Sequence, residues 1–237
     1  GGGGLGGGQG LSALIPGSRM IGRLLEVPLD HIRPDPLQPR KRFQQEALVE
    51  LSNSIKANGI LQPLIVSPSG GGFYQIIAGE RRWKAAKLAG LKKVSVVSRD
   101  VGEQEAFELA LLENIQRVDL TALEEAMSYK RLSDEFNLSH EQIAERTGKK
   151  RATISNALRL LKLPTQVLTM LDAEQLSAGH GRTLLSLQED HLMINFAEQS
   201  VEQEWSVREL ERRVKQHLAM PEDKKHITEA WIEGFGT

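Results

Sequence analysis

Residues 138–164 read "LSHEQIAERTGKKRATISNALRLLKLP", and their spacing is that of two short helices joined by a tight turn. Ser139 is a suitable N-cap residue, and Gln142 follows it at the spacing of a capping box. Gly148 stands where the chain has to turn. The buried face of the second helix is predicted to carry Ile154, Leu158 and Leu161. The stretch therefore predicts a helix-turn-helix.

The start of the second predicted helix is rich in cations and short hydrogen-bonding side chains. These residues are Lys149, Lys150, Arg151, Thr153, Ser155 and Asn156. Residues 139–162 hold six basic and two acidic side chains, whereas residues 101–126 hold seven acidic side chains and Arg117 alone as a cation. Because cations bind phosphates and short polar side chains reach base edges, the pattern favours a DNA recognition helix over a plain helical hairpin with a solvated charge run.

The second half of the chain has the apolar spacing of helices and no strand pattern from Glu103 onward. The predicted helices are 103–117, 121–136, 139–147, 151–162, 164–176, 179–187 and 189–217, the last interrupted near Trp205.

The first half alternates short strands and helices. Residues 26–43, "EVPLDHIRPDPLQPRKRF", begin as an edge strand and continue as a proline-stiffened loop. Residues 46–58 predict a helix that Gly59 ends. Further on, the pattern predicts strands in 60–68, 73–78 and 93–99 and a helix over 81–90. The chain is therefore predicted to be α+β, with an N-terminal α/β domain and an all-helical C-terminal domain.

Composition limits the function classes. The 237 residues, 40% of them hydrophobic, suit two or three small domains, and a net charge of −1 requires a local basic patch for any polyanion. The absence of cysteine excludes disulfides, thiolate zinc sites and thiol nucleophiles. The apolar runs are shorter than a bilayer span and the start does not resemble a signal peptide, so we expect a cytoplasmic protein without membrane contact.

Residues 76–86, "IIAGERRWKAA", place three charges where a predicted strand passes into a helix. Gly79 lets the backbone approach a ligand, and the helix start offers unpaired amide donors. Arg81 and Arg82 carry forks that match phosphate oxygens. The stretch predicts a polyphosphate cradle without Walker-loop spacing; its alternative is a surface ion-pair network.

A second polar cluster lies in "LLENIQR", residues 111–117. Glu113, Asn114 and Arg117 share one side of an otherwise apolar helix. A carboxylate and an amide oxygen suit Mg²⁺, which leaves its other positions to water and phosphate. The alternative is a helical ion pair between Glu113 and Arg117. Together with the cradle, the cluster predicts a nucleotide site.

Several long motifs, in this order around the helix-turn-helix, resemble the ParB family of chromosome and plasmid partition proteins. They are "RPDPLQPRKRF", "SIKANGILQPLIV", "IIAGERRWKAAKLAG", "ALLENIQRVDLTALEEA" and "SAGHGRTLL". The resemblance runs from about Leu24 to Lys215. It implies a sulfiredoxin-like CTP-binding domain followed by a helix-turn-helix domain that binds parS DNA.

The resemblance also implies a mechanism, a CTP-dependent DNA clamp. A dimer would load at a centromere-like parS site, close its N-terminal domains when CTP and Mg²⁺ bind, and slide onto flanking duplex DNA. Slow CTP hydrolysis would reopen it. The protein would be cytoplasmic and nucleoid-associated. "GLSALI", residues 10–15, is similar to the segment that docks on the ATPase ParA, though no cation precedes Arg19, and makes a ParA-type ATPase a candidate partner.

Site residues follow from the resemblance by motif. The nucleotide is assigned to Gly59, Ile60, Leu61, Gln62, Pro63, Gly79, Glu80, Arg81, Arg82, Asn114 and Arg117. Magnesium is assigned to Glu113 and Asn114. Catalysis is assigned to Gln38, near the attacked γ-phosphate, with Glu80 and Glu113. The parS contact is assigned to the six residues of the recognition helix start, supported by Gly179, His180 and Arg182.

The expected organisation is a glycine-rich tail over 1–20, a CTP-binding domain over 21–120, a parS-binding domain over 121–220 and a tail over 221–237. That tail is shorter than the dimerisation domain with which the family usually ends. The alternatives are a helix-turn-helix transcriptional regulator that binds no nucleotide, a nucleoid-occlusion relative, and a sulfiredoxin-type phosphoryl-transfer enzyme. The missing cysteines oppose the last, and N-terminal glycines replace the amphipathic helix that a membrane-bound nucleoid-occlusion relative would carry.

Overall fold

The computed structural model describes residues 22–35, 45–59, 62–221 and 224–225. The "GLSALI" segment and most of the two predicted tails lie outside these residues. Within the described part of the chain, no helix combines the length and hydropathy that a membrane span requires.

The described strands form one mixed sheet. Their bounds are Arg23–Pro28 (β1), Ile32–Arg33 (β2), Leu64–Gly70 (β3), Phe73–Ala78 (β4) and Lys93–Ser98 (β5). The strand order is β1-β5-β3-β4-β2, so β1 is an edge strand as predicted. β1 pairs with β5 and β3 pairs with β4 in antiparallel fashion, whereas β3–β5 and β2–β4 are parallel.

The first three residues of the central strand β3, 64–66, are apolar and buried on both faces of the sheet. Leu64 and Val66 belong to the larger core cluster, which also contains Trp83 of the following helix. Ile65 points to the other face and packs with Val97 in a smaller cluster. The sheet thus holds the end of β4, from which the charged "GERR" motif emerges, on a rigid base.

The described helices follow the predicted order. They are Gln45–Asn58 (α1), Glu80–Leu88 (α2), Val101–Ile115 (α3), Ala122–Phe136 (α4), His140–Thr147 (α5), Arg151–Leu160 (α6), Thr165–Asp172 (α7), Ala178–Leu184 (α8), Asp190–Glu202 (α9) and Val207–Leu218 (α10). The α+β prediction is confirmed, and so is the interruption near Trp205, which separates α9 from α10.

Several helix ends differ from the prediction by one to four residues, and two of these differences have a clear local reason. α3 begins two residues early because the Asp100 carboxylate accepts a hydrogen bond from the Glu103 backbone N–H at 2.7 Å and completes a capping box. That bond, first among several causes, lowers the pKa of Asp100. α7 ends at Asp172, before the predicted residue 176, because Glu174 adopts a left-handed conformation with φ 57°.

The chain forms two compact units. The first combines the described residues up to Val118 with Ser128–Arg151, and the second combines Asp119–Met127 with those from Ala152 onward. Helix α4 therefore contributes its first residues to the second unit and its C-terminal part to the first.

A buried ion pair connects three elements of the first unit. Arg99, just after β5, donates from Nη2 to Glu135 Oε1 of α4 at 2.7 Å, and each side chain is only 1% exposed. Arg131 donates to the other carboxylate oxygen at 2.6 Å. Gln104 of α3 accepts from Arg99 Nη1 at 3.1 Å and donates to the Glu135 backbone carbonyl at 2.6 Å. The sheet, α3 and the end of α4 are thereby tied to one carboxylate.

Replacing Glu135 by Gln should lower the free energy of unfolding by about 3 kcal/mol or more, because it leaves the Arg99 charge buried without its counterion. Urea denaturation measures the change. The control is Lys130→Gln, which removes the cation of a half-exposed pair with Asp134 (2.9 Å) on the same helix. This control should cost less than about 1 kcal/mol. Equal, small costs for the two variants would contradict the importance of the buried pair.

Candidate functional site

The junction between β4 and α2 depends on a glycine. Gly79 precedes α2 with φ 104° and ψ 26°, a left-handed conformation. A Cβ atom at this position would lie 2.8 Å from Leu64 Cδ2 and 3.0 Å from Arg82 Nη2. Glycine also has no side chain that could cap the amides of the first turn of α2. The helix start is therefore a close-packed turn whose backbone donors can meet an anion.

Arg82 has a structural role that the sequence did not predict. Its Nη1 donates to the backbone carbonyls of Gln62 and Pro63, each at 2.8 Å. These bonds use two of the five N–H donors of the guanidinium and fix the turn that leads into β3. Burial lowers the pKa of Arg82, while the nearby carboxylates of Asp134 and Glu135 oppose that shift. An arginine remains protonated even so.

The other charges of the motif lie at the surface of α2. Glu80 forms an ion pair with Lys84 one turn later, at 3.2 Å between Glu80 Oε1 and Lys84 Nζ. Arg81 is exposed. The alternative of a surface ion-pair network thus holds for Glu80, whereas Arg82 binds backbone carbonyls.

Gly59, Gln62 and Pro63 are the described residues of the predicted base-binding motif. Gly59 ends α1 with φ 72°, and its N–H donates to the carbonyl of Ile55 at 2.8 Å. Gln62 donates from Nε2 to Asp134 Oδ2 at 3.4 Å. Three predicted site residues therefore meet by contact: Gln62, Pro63 and Arg82. Gln38, Ile60 and Leu61 lie outside the described residues.

A small cavity of about 10 Å³ lies beside the glycine turn. It is lined by Asp35, Ile76, Ile77, Ala78, Gly79, Glu80 and Asn137. A cavity of this size has room for about one water molecule, so it does not by itself accommodate a nucleotide. The sequence prediction missed Asp35 and Asn137. Asn137 carries a detectable signal, since an asparagine directly after a helix favours the left-handed conformation (φ 54°) that it adopts.

Glu113 and Asn114 occupy the last turn of α3 and are exposed. Their backbone carbonyls accept from the N–H groups of Gln116 and Arg117, at 3.1 and 3.2 Å. Among the described residues, no group of three or more His, Asp or Glu side chains could hold a metal. Two oxygen ligands suit a Mg²⁺ ion that takes its other ligands from phosphate and water. They lie on a different element from the turn and helix that hold Gln62, Pro63 and Arg82.

The helix-turn-helix has the predicted local structure. Ser139 Oγ accepts from the Gln142 backbone N–H at 3.2 Å, and Gln142 Oε1 accepts from the Ser139 N–H at 2.9 Å, so the capping box is confirmed. Gly148 ends α5 with φ 71°. Ile143 and Ile154 are fully buried, whereas Leu158 and Leu161, also predicted to line the buried face of α6, are only half-buried and Leu160 is buried instead. The cap and the turn fix where α5 begins and where it ends.

The predicted DNA-contacting residues occupy the turn and the first two turns of α6. Lys149, Lys150, Arg151 and Thr153 are exposed, and Ser155 and Asn156 are half-buried. Arg151 Nη1 donates to Glu141 Oε1 at 3.1 Å. The sequence prediction missed this ion pair, because the two residues lie on different helices. The start of α6 therefore presents two exposed lysines and one arginine that a carboxylate engages.

The "SAGHGR" motif supports the second unit from within. His180 contacts the Trp205 carbonyl through Nε2 at 2.7 Å and Ser177 Oγ through Nδ1 at 2.8 Å. Because a carbonyl only accepts, we assign the proton to Nε2. A Cβ at Gly179 would lie 3.1 Å from Val207. Gly179 and His180 thus join α8 to the start of α10, while Arg182 is exposed.

Two family models match the chain. The model of the ParB N-terminal domain matches residues 18–115, and the model of the ParB HTH domain matches residues 118–219.

The relatives share nearly half of their residues with the chain. The chromosome-partitioning protein ParB of Myxococcus xanthus is 50% identical over 219 residues, which cover 88% of this chain and 74% of that protein. The probable chromosome-partitioning protein ParB of Vibrio cholerae is 44% identical over 223 residues, which cover 93% and 75%.

Solved structures are similar as well. The C-terminally truncated ParB of Caulobacter crescentus complexed to the centromeric parS site is 43% identical, with 81% of this chain and 97% of that chain covered and a TM-score of 0.45. The C-terminally truncated ParB of Caulobacter crescentus complexed with CTP-gamma-S is 42% identical, with 75% of this chain and 98% of that chain covered and a TM-score of 0.33. Sulfiredoxin from Arabidopsis thaliana is 29% identical, with 38% of this chain and 97% of that chain covered and a TM-score of 0.30. Because these TM-scores are low, the relationship rests on the sequence matches.

Replacing Gly79 by Ala should lower the free energy of unfolding by about 3 kcal/mol, since the left-handed conformation and the contact with Leu64 both oppose a Cβ atom. Gly90→Ala is the matched control: its φ is also positive (75°), but a Cβ there meets nothing within 4 Å. It should cost about 1–2 kcal/mol. Urea denaturation of both variants is the measurement, and an equal cost would show that the packing around Gly79 is loose.

Proposed function

This chain belongs to the ParB family of chromosome-partitioning proteins, and from that premise we propose that it binds a parS site through its helix-turn-helix and CTP through its N-terminal domain. The observation that carries the proposal is the exposed cationic start of α6, where Lys149, Lys150 and Arg151 precede the short polar side chains of the helix. The proposed domain ranges are 21–120 for CTP and 121–220 for parS.

For DNA, the support is chemical and local. A helix that enters the major groove presents its N-terminal residues to base edges, and lysines beside it bind phosphates. In α6 these positions hold Arg151, Thr153, Ser155 and Asn156. Gly179, His180 and Arg182 are proposed to support the contact, since His180 braces α8 against the Trp205 turn.

For CTP, the support is the left-handed turn at Gly79 and the uncapped start of α2. Backbone amides at a helix start bind phosphate oxygens, and Arg81 is exposed beside them. Gln62 and Pro63, which Arg82 fixes, are proposed to wall the base together with Gly59, Ile60 and Leu61. Arg82 itself is proposed to meet the phosphates with its Nε and Nη2 donors, as are Asn114 and Arg117.

We further propose that Glu113 and Asn114 hold Mg²⁺, which when bound would neutralise phosphate charge. Gln38, Glu80 and Glu113 are proposed to support slow hydrolysis of CTP to CDP and phosphate. CTP would close a dimer of N-terminal domains around DNA, hydrolysis would reopen it, and a ParA-type ATPase would be a further partner. We place the protein in the cytoplasm, on the nucleoid.

Arg151→Ala should abolish discrimination between a parS duplex and a scrambled duplex of equal length, because an arginine contact with a base edge contributes about 1–3 kcal/mol. The parS duplex is the one that the wild-type chain selects from a random pool. Fluorescence anisotropy measures both affinities. Since Arg151 is exposed, the urea midpoint should not change. Discrimination as strong as that of the wild type would contradict the assignment.

Arg82→Ala and Arg81→Ala should each weaken CTP binding at least tenfold, because each removes a charge-assisted contact with phosphate. Equilibrium dialysis with labelled CTP and Mg²⁺ measures this. Light scattering should show CTP-dependent dimerisation in the wild type and its loss in both variants. Initial parS binding should remain.

Arg81→Ala decides the outcome, because it leaves the carbonyls of Gln62 and Pro63 bound to Arg82. Normal CTP binding by this variant would make "GERR" a structural network. Wild-type protein that selects parS but binds no CTP would instead be a helix-turn-helix regulator. The ion pair between Glu80 and Lys84 and the bonds of Arg82 to backbone carbonyls are compatible with that alternative as well.

A further inference from the structure

The geometry at the start of α6 points to a specificity residue outside the predicted set. We propose that Glu141 positions Arg151 and thereby raises the preference of the chain for its cognate DNA over other duplexes. This inference rests on the proposed function of the helix-turn-helix in DNA binding. It concerns how the arginine is held, which that function leaves open.

The contact joins two residues of the first unit, Glu141 and Arg151. Glu141 is in the first turn of α5, which the capping box of Ser139 and Gln142 anchors. Arg151 is the first residue of α6, after the left-handed turn at Gly148. The turn brings residues ten positions apart to 3.1 Å between Glu141 Oε1 and Arg151 Nη1. The side chains are 73% and 67% exposed, so both are accessible to a duplex that binds the start of α6 as proposed.

The charge of Glu141 is unfavourable for simple attraction to DNA. Residues 139–162 carry six cations and only two acidic residues, Glu141 and Glu145. A carboxylate close to phosphates weakens binding to every duplex, whatever its sequence. A carboxylate that also holds a base-reading arginine in place supports the contact with the cognate base. Its net effect is therefore to weaken binding to non-cognate duplexes more than binding to the cognate duplex.

The shape of the guanidinium permits this division. Arginine has five N–H donors in a planar fork, and Glu141 engages Nη1. The remaining donors can still offer a two-bond edge to guanine O6 and N7. An arginine that is held before binding loses less rotamer freedom when it meets the base. It is also less available to phosphates of unrelated sequences.

The test compares Glu141→Gln with Glu145→Gln, which removes the same charge from an exposed position on the same helix. Anisotropy titrations use the selected duplex and its scrambled counterpart at several salt concentrations. Both variants should gain affinity for scrambled DNA through the lost charge. Only Glu141→Gln should also lower the ratio of selected to scrambled affinity, by about 2–10-fold, because a neutral amide oxygen holds the guanidinium less firmly than a carboxylate does.

The same comparison in an Arg151→Ala background separates positioning from bulk charge. Glu141→Gln should bind scrambled DNA more tightly than Glu145→Gln in the wild-type background and equally in the Arg151→Ala background. Its salt dependence should steepen by about one phosphate contact only when Arg151 is present.

Three results would overturn the inference. Equal ratios for the two single variants, with a wild type that discriminates, would overturn it while leaving the proposed function intact. A difference that persists without Arg151 would show that Glu141 acts by another route. A wild type that selects no duplex from the pool would overturn the inference and the DNA-binding function together.

Discussion

The first unit is organised around a carboxylate that water does not reach. Glu135 of α4 receives Arg99 from the end of β5 and Arg131 from its own helix, and its backbone carbonyl receives Gln104 of α3. Taking such a charge out of water costs several kcal/mol, so the pair is stable only while every partner stays in place. The end of β5, α3 and the C-terminal part of α4 must therefore all be in their native positions for the ion pair to be stable.

The same turn of α4 borders the candidate nucleotide site. Asp134 accepts from Gln62, and the charges of Asp134 and Glu135 offset the burial of Arg82. Arg82 in turn holds the carbonyls of Gln62 and Pro63. Because Asp134 and Glu135 are adjacent on α4, the turn before β3 and the buried ion pair are held by neighbouring residues of one helix. A ligand that displaced Gln62 or Arg82 would therefore act next to the buried ion pair.

Local chemistry was readable from the sequence, and distant pairing was not. The capping box at Ser139, the turn at Gly148 and the break near Trp205 follow from residue types a few positions apart. The bonds from Arg82 to Gln62 and from Arg99 to Glu135 span 20 and 36 residues, and no periodicity encodes them. The sequence therefore located "GERR" and the recognition helix. It did not show that Arg82 is the arginine that binds backbone carbonyls of the fold.

That distinction decides how a triphosphate would be held. Because Nη1 of Arg82 already serves two carbonyls, its charge is partly committed to the turn before β3. In the proposed site, the larger share of the attraction would then come from the α2 amides and from Arg81, which is exposed. Glu80 beside them is paired with Lys84, which limits its repulsion of phosphate. Arg82 thus already holds the turn before β3, and in the proposed site both it and Arg81 would share the phosphates with the amides at the start of α2.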